Sequence, residues 1–394
     1  MKLPKLPLIV RILIAIALGV VLGLVAPGWT VRLMNTFDGI FNQLLRFFIP
    51  LIIVGLVTPA IAEVGSKAGK MLLITAGLAY TFTVLSGLFA YGFSSALFPA
   101  VIDSGSLDAL NAGEVKYPEY FTIEIPPLAD VMTSLILSFM LGIGIATSNA
   151  TVLKKGFEEL KSIIVRSIEK VIIPILPIYI FGLFLDMTAA GKVGPVLKSF
   201  IVLVGIIFGM TLVLLVLQYC IAGIVAKKNP FKMLYGMLPA YMTALGTASS
   251  AATIPVTLEC AKKNGVKEEV AGFVIPLCAT IHLSGSTLKI TSCAIALMIM
   301  LGMPIEFPTM LGFIMMLGIT MVAAPGVPGG AIMAALGVLG SILGFDAQPQ
   351  AMMITLYIAM DSFGTACNVT GDGAIALIVD TLHRLRKPNK DISI

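Results

Sequence analysis

Four polar residues near the end of the chain, Asp361, Thr365, Asn368 and Asp372, follow one another at i, i+4, i+7 and i+11 in the stretch TLYIAMDSFGTACNVTGD. That spacing sets them on one stripe of an α-helix. The residues between them are apolar or small. In a soluble protein the stripe would be a solvated face. In an apolar setting two carboxylates at depth are costly, and such groups mark a pathway for a solute or ion. A purely structural pair would need fewer polar neighbours.

A second polar set lies in CATIHLSGSTLKITSC, residues 278–293, with Thr280, His282, Ser284, Ser286 and Lys289. His282, Ser286 and Lys289 share i, i+4, i+7 spacing, so they form a stripe provided that Gly285 does not break the helix. His282 and Lys289 are read as protonatable or fixed positive charges, set against the two aspartates. Enzyme chemistry finds little here. His282 and His383 are the only histidines, no nucleophile stands at motif spacing from a base, and no metal-ligand cluster or GxxxxGK[ST] phosphate loop occurs. The five cysteines lie mostly in apolar runs without paired spacing and are read as small core residues.

The elements that must position these groups follow from composition. The 394 residues are 58% hydrophobic and 12% charged, against roughly 25% charged in soluble domains. Apolar runs of spanning length recur, without the alternation of a β-barrel, so the chain is predicted to be an all-α polytopic membrane protein. Eight spanning helices are expected, at about 8–26, 37–62, 70–98, 128–149, 158–188, 197–225, 269–302 and 351–382. The first follows Lys2, Lys5 and Arg11 and is long enough to be a retained helix rather than a cleaved signal peptide. The basic residues cluster in one set of loops, which places that set and both termini in the cytoplasm. The net charge of +5 reflects those loops and not a nucleic-acid surface.

Two further segments, about 230–260 and 308–345, are apolar but interrupted, at GTASSAATIP and APGVPGG. Eight crossings match the charge distribution only if each of these enters and leaves on one side. They are therefore expected to be two re-entrant helical hairpins, entering from opposite faces in inverted repeats. Broken backbone at membrane depth is tolerated only where protein or a water-filled cavity satisfies it, and paired broken segments point to a transporter binding site.

TASSAATIPVT, GVPGGAIM and NVTGD, with ATIHLSGS between, together resemble the dicarboxylate/amino acid:cation symporter family, that of the glutamate transporters and their prokaryotic homologues. The resemblance spans nearly the whole chain and is sharpest over 240–382. It implies a homotrimer in the lipid bilayer of the inner membrane, working by an elevator mechanism. Residues 1–62 and 101–189 would be the static scaffold, with an extracellular loop in the latter. Residues 63–100 and 190–394 would be the moving transport domain. It further implies that Ser249, Ser250 and Ser286 face the substrate and that Val327 and Gly329 cover it. Asp361 would take the amino group, with Thr365 and Asn368 as further contacts. Asn368 and Asp372, with the Thr280 region, would meet sodium, the candidate coupling ion.

The chain also departs from that pattern. The last-helix arginine that pairs with an acidic substrate is Gly364 here, and the position where some members carry a compensating arginine is Ala248. Without a bidentate arginine the site is expected to favour a neutral amino acid over an acidic one. His282 and Ser284 stand where the family has sodium-binding Asn and Asp, so coupling to fewer sodium ions or to protons is expected. A dicarboxylate or acidic amino acid symporter, and an uncoupled facilitator or channel on the same scaffold, are the alternatives.

Overall fold

The computed structural model describes residues 8–66, 70–102, 117–148, 150–191, 193–324 and 329–386. All regular elements in them are helical. In chain order they are α1 (Leu8–Gly23), α2 (Gly28–Ser66), α3 (Lys70–Leu97), α4 (Val131–Ser148), α5 (Thr151–Ser167), α6 (Ile173–Ala189), α7 (Val193–Ala226), α8 (Pro230–Gly236), α9 (Leu238–Thr247), α10 (Ser250–Lys263), α11 (Glu268–Ile281), α12 (Ser284–Met300), α13 (Phe307–Val322), α14 (Gly330–Leu343), α15 (Ala347–Ala359) and α16 (Asp361–Arg386). A short 3₁₀ turn closes α3, and a π turn at Ile168–Ile172 joins α5 to α6. Pro174, which has no N–H to donate, sits immediately beyond that π turn.

Six helical stretches among the described residues are long and apolar enough to cross a bilayer: Gly28–Ala62, Met71–Ala100, Val131–Ser148, Thr151–Ala189, Val196–Ala226 and Glu268–Met300. The protein is thus a multi-pass membrane protein. α1 is shorter, and α16 carries the polar stripe and is walled in by protein instead, every residue from 364 to 380 being buried. α16 packs against α7, α9, α10, α11 and α12. α1 packs on α6, and α2 packs on α4, α5 and α6.

The structure moves several boundaries. α2 begins at Gly28, a residue range earlier than the expected start near 37, although Arg32, Asn35 and Thr36 read locally as polar loop. Residues 117–120 lie across this turn of α2 and satisfy those groups. Arg32 Nε donates to Pro118 O at 2.9 Å, Asn35 Nδ2 donates to Tyr117 O at 2.8 Å, and the Tyr120 N–H donates to Thr36 Oγ1 at 2.9 Å. The seventh expected helix breaks at His282–Leu283, not at Gly285. His282 therefore leaves the stripe shared by Ser286 and Lys289. The last expected helix is interrupted for one residue at Met360 (φ −111°, ψ 10°), so that Asp361 heads a helix instead of lying within one.

The two interrupted segments are helix pairs. α9 and α10 pack together through a turn at Ala248, whose φ of 48° is left-handed and unusual for a residue with a Cβ. α13 and α14 pack together as well, and the second starts after Gly329, at φ 75°. Val327, expected to cover the substrate, lies outside the described residues.

Close helix approach in the α2–α4 pair depends on Gly142. A Cβ there would stand 2.7 Å from Ile61 Cβ and 3.0 Å from Thr58 O, while Gly144 has nothing within 4 Å. Gly142→Ala is expected to lower stability by about 1–3 kcal/mol through overpacking. Gly144→Ala should leave the thermal midpoint of the purified protein unchanged or slightly raised, by up to about 1 kcal/mol of helix propensity. Equal midpoints for the two variants would contradict the packing.

Candidate functional site

Helix ends build the site. The break at His282–Leu283 exposes the first N–H groups of α12, which have no partner within their own helix. Asn368, two turns into α16, caps them: its Oδ1 accepts from the Gly285 N–H at 2.8 Å and the Ser286 N–H at 3.3 Å. Its Nδ2 donates to Ser286 Oγ at 3.1 Å, and that hydroxyl lies 3.0 Å from Tyr357 Oη. One amide thus fixes two helices relative to each other.

Asp361 opens α16, and its Oδ2 accepts from the Gly329 N–H at 3.0 Å, at the start of α14. A carboxylate at a helix N-terminus is favoured by the unpaired N–H groups there. Its Oδ1 lies 3.7 Å from Lys289 Nζ. The Lys289 ammonium also donates to Met360 O at 3.1 Å, where α15 is interrupted. Thr365 Oγ1 donates to Asp361 O at 3.0 Å.

These groups surround a small cavity of about 30 Å³ lined by Ala248, Ser250, Ala279, Thr280, Leu283, Ser286, Ala324, Ala331, Tyr357, Asp361, Thr365 and Asn368. A water needs at least about 10–15 Å³, so the cavity has room for water. Its described lining holds one carboxylate, four hydroxyl-bearing aliphatic side chains, a phenol and an amide, with no basic side chain.

The expected site residues divide into three groups. Ser250, Ser286, Asp361, Thr365, Asn368 and Thr280 line the cavity together, and Gly329 touches it through Asp361. Thr280 Oγ1 already donates to Leu277 O at 2.8 Å. Ser249 lies beside the cavity as the N-cap of α10, its Oγ accepting from the Ala252 N–H at 3.3 Å. His282, Lys289, Gly364 and Asp372 lie behind the wall. Tyr357, one turn before Asp361, lines the cavity unanticipated; only its position in the same stretch pointed to it.

Behind the wall, His282 Nδ1 and Asp372 Oδ1 are 2.9 Å apart, the two side chains 0% and 1% exposed. In place of the expected shared stripe of His282, Ser286 and Lys289 there are two separate pairs, His282–Asp372 and Lys289–Asp361. Gln218 of α7 joins the first region, its Nε2 donating to Ser284 Oγ at 3.1 Å. It stood out in the sequence only as an isolated amide inside an apolar run. Asp372 Oδ2, Gln218 Oε1 and His282 Nε2 are buried without a protein partner.

Removing one member of such a buried pair strands the other, at roughly 3–5 kcal/mol. His282→Ala is expected to cost that much in sodium-free buffer, with part recovered by adding Asp372→Asn. Chemical or thermal unfolding in detergent measures it. Strictly additive effects of the two substitutions would rule the pair out.

The chain matches known proteins over nearly its full length. A sequence model described as the sodium:dicarboxylate symporter family matches residues 8–382. The chain is similar to the serine/threonine transporter SstT of Acinetobacter baumannii, 28% identical over 407 residues that cover 96% of this chain and 98% of the relative. It is likewise similar to that of Acinetobacter baylyi, 28% identical and covering 95% and 97%.

Proposed function

The chain belongs to the sodium:dicarboxylate symporter family, and we propose that its solute is a small neutral amino acid, serine or threonine foremost, bound at the cavity headed by Asp361. As a member of that family it is a cation-coupled membrane transporter and not an enzyme. The observation that carries the solute assignment is the lining. A single carboxylate faces the cavity for an ammonium, hydroxyls and an amide surround it, and no basic side chain faces it for a second carboxylate. The names of the two relatives support the same solute class.

In this reading Asp361 takes the amino group. Ser250, Ser286, Thr365 and Asn368 serve the carboxylate and side chain, with Ser249 and Val327 at the hairpin tips. Gly329 belongs to the tip of the second hairpin and is joined to the site by its N–H, which donates to Asp361. The helix pairs α9–α10 and α13–α14 are the two re-entrant hairpins of an eight-helix, inverted-repeat elevator fold. Residues 1–62 and 101–189 form the scaffold of a homotrimer in the inner membrane, with both termini inside, and 63–100 and 190–394 form the carrier. The mutual packing of α1, α2, α4, α5 and α6 and the envelope around α16 support that division.

Sodium is the proposed coupling cation, cargo rather than a resident group. Asp372 Oδ2 is a hard oxygen without a protein partner, as an alkali ion would require, while Oδ1 is already held by His282. With Asn368 Oδ1 engaged by two N–H groups, the oxygens left free support fewer sodium ions than an unblocked set would bind.

L-Serine and L-threonine are expected to raise the thermal midpoint of the purified protein in sodium, whereas L-aspartate and succinate are not. At 100-fold over Kd the stabilisation is about 2.7 kcal/mol. Asp361→Asn should abolish the shift, and a full shift in that variant would refute the ammonium role. In proteoliposomes an inward sodium gradient is expected to drive accumulation above equilibrium. Sodium-independent uptake that follows a pH gradient would overturn sodium coupling, and equilibration without accumulation would mark a facilitator.

A further inference from the structure

Lys289 is fully buried yet does not line the cavity. Its ammonium donates to Met360 O at 3.1 Å, lies 3.7 Å from Asp361 Oδ1 and sits 3.8 Å from the ring centroid of Tyr357. An ammonium has three N–H bonds. One is donated to Met360 O, Asp361 Oδ1 stands at ion-pair distance and the Tyr357 ring covers another side, so the ammonium is turned to these groups and not to the cavity. All three partners belong to the α15–α16 interruption, and two of them, Asp361 and Tyr357, form the cavity wall.

The path of this side chain depends on a gap in α16. A Cβ at Gly364 would collide with Cε and Nζ of Lys289. Glycine inside a buried helix is unfavourable by up to about 1 kcal/mol relative to alanine, and a buried lysine is costly unless compensated. An apolar residue at 289 and alanine at 364 would fill the same space without either penalty. Two unfavourable choices on different helices thus meet at one point and place a positive charge behind Asp361.

We propose that Lys289, in the space left by Gly364, determines the charge class of the solute. This rests on the reading of Asp361 as the ammonium receptor. Lys289 is a positioning residue: it acts on the solute through Asp361, which it holds and compensates from the side away from the cavity. The closed site contains one negative and one positive protein charge, of which only the negative faces the solute. A zwitterion with no net charge leaves the closed site neutral. A second carboxylate finds no cation in the cavity lining, because the nearby ammonium sits behind the wall. A solute with an extra ammonium adds a charge for which no compensating group is present. Without Lys289 the carboxylate of Asp361 is uncompensated, and the preference moves by one charge towards cations.

The test uses the purified full-length protein in sodium and three probes: L-serine, L-aspartate and the cationic L-2,4-diaminobutyrate. Wild type is expected to bind L-serine alone among them. Lys289→Met should raise the affinity for diaminobutyrate relative to serine by at least about tenfold, the scale of one unscreened charge in a buried site. Gly364→Ala, which evicts the ammonium without altering the lysine, should shift the ratio in the same direction. In a Lys289→Ala background, Gly364→Ala should change nothing further. If Lys289→Met does not fold, the Gly364→Ala ratio decides. An unchanged ratio in the folded variants, or a Gly364→Ala effect of equal size with and without Lys289, overturns the proposal. Wild-type serine binding by Asp361→Asn would instead indict the solute site itself, so the two failures are distinguishable.

Discussion

A charge placed in an apolar interior must find partners there, and the architecture around α16 follows from that constraint. Asp361 and Asp372 lie about three turns apart on α16, Asp372 within its fully buried stretch 364–380 and Asp361 at its head beside the cavity. Each carboxylate is met by a cation or imidazole from the α11–α12 segment: Lys289 for Asp361, His282 for Asp372. The two pairs are possible only because α11 ends before His282. Extended backbone at His282 turns the imidazole towards Asp372, and the new helix that starts at Ser284 carries Lys289 to the other end of the polar stripe.

The same logic accounts for the helix ends. A break in a membrane helix leaves N–H and C=O groups that lipid cannot satisfy. Here Asn368 takes the freed N–H groups of α12, Asp361 takes an N–H where α14 begins, and Lys289 takes the carbonyl where α15 is interrupted. Side chains that would be a liability inside a continuous helix become caps. The cavity is the space where these ends converge, which is why its lining is polar although almost everything around it is apolar. The groups that line it are already oriented by the protein. Moving any one end, such as the start of α14, alters the contacts of Asp361 at once.

In this member of the sodium:dicarboxylate symporter family the described cavity lining holds no basic side chain. Lys289 brings a positive charge in from α12 through the opening at Gly364 and uses it on Asp361 and Met360. The consequence is one of position more than of composition: the same net charge, set behind the wall, does not present itself to a second carboxylate.

The amino-acid sequence alone determined the all-helical, multi-pass character, because low charge and long apolar runs admit no other way of satisfying the backbone in lipid. It also determined the polar stripe 361–372, since helical spacing is a local property and the stripe falls within α16. The family and the absence of an arginine at Gly364 were legible too. Where the α11–α12 and α15–α16 segments break was not. Neither His282–Leu283 nor Met360 carries glycine or proline, so no local signal marks them, and Gly285, the residue that did look like a breaker, lies inside α12. Those breaks exist because distant side chains, Asn368 and Lys289, satisfy the groups they expose. Likewise, spacing grouped His282 with Lys289, whereas the fold assigned them to different aspartates. Such pairings depend on residues 70 to 90 positions apart, and only packing in three dimensions decides them.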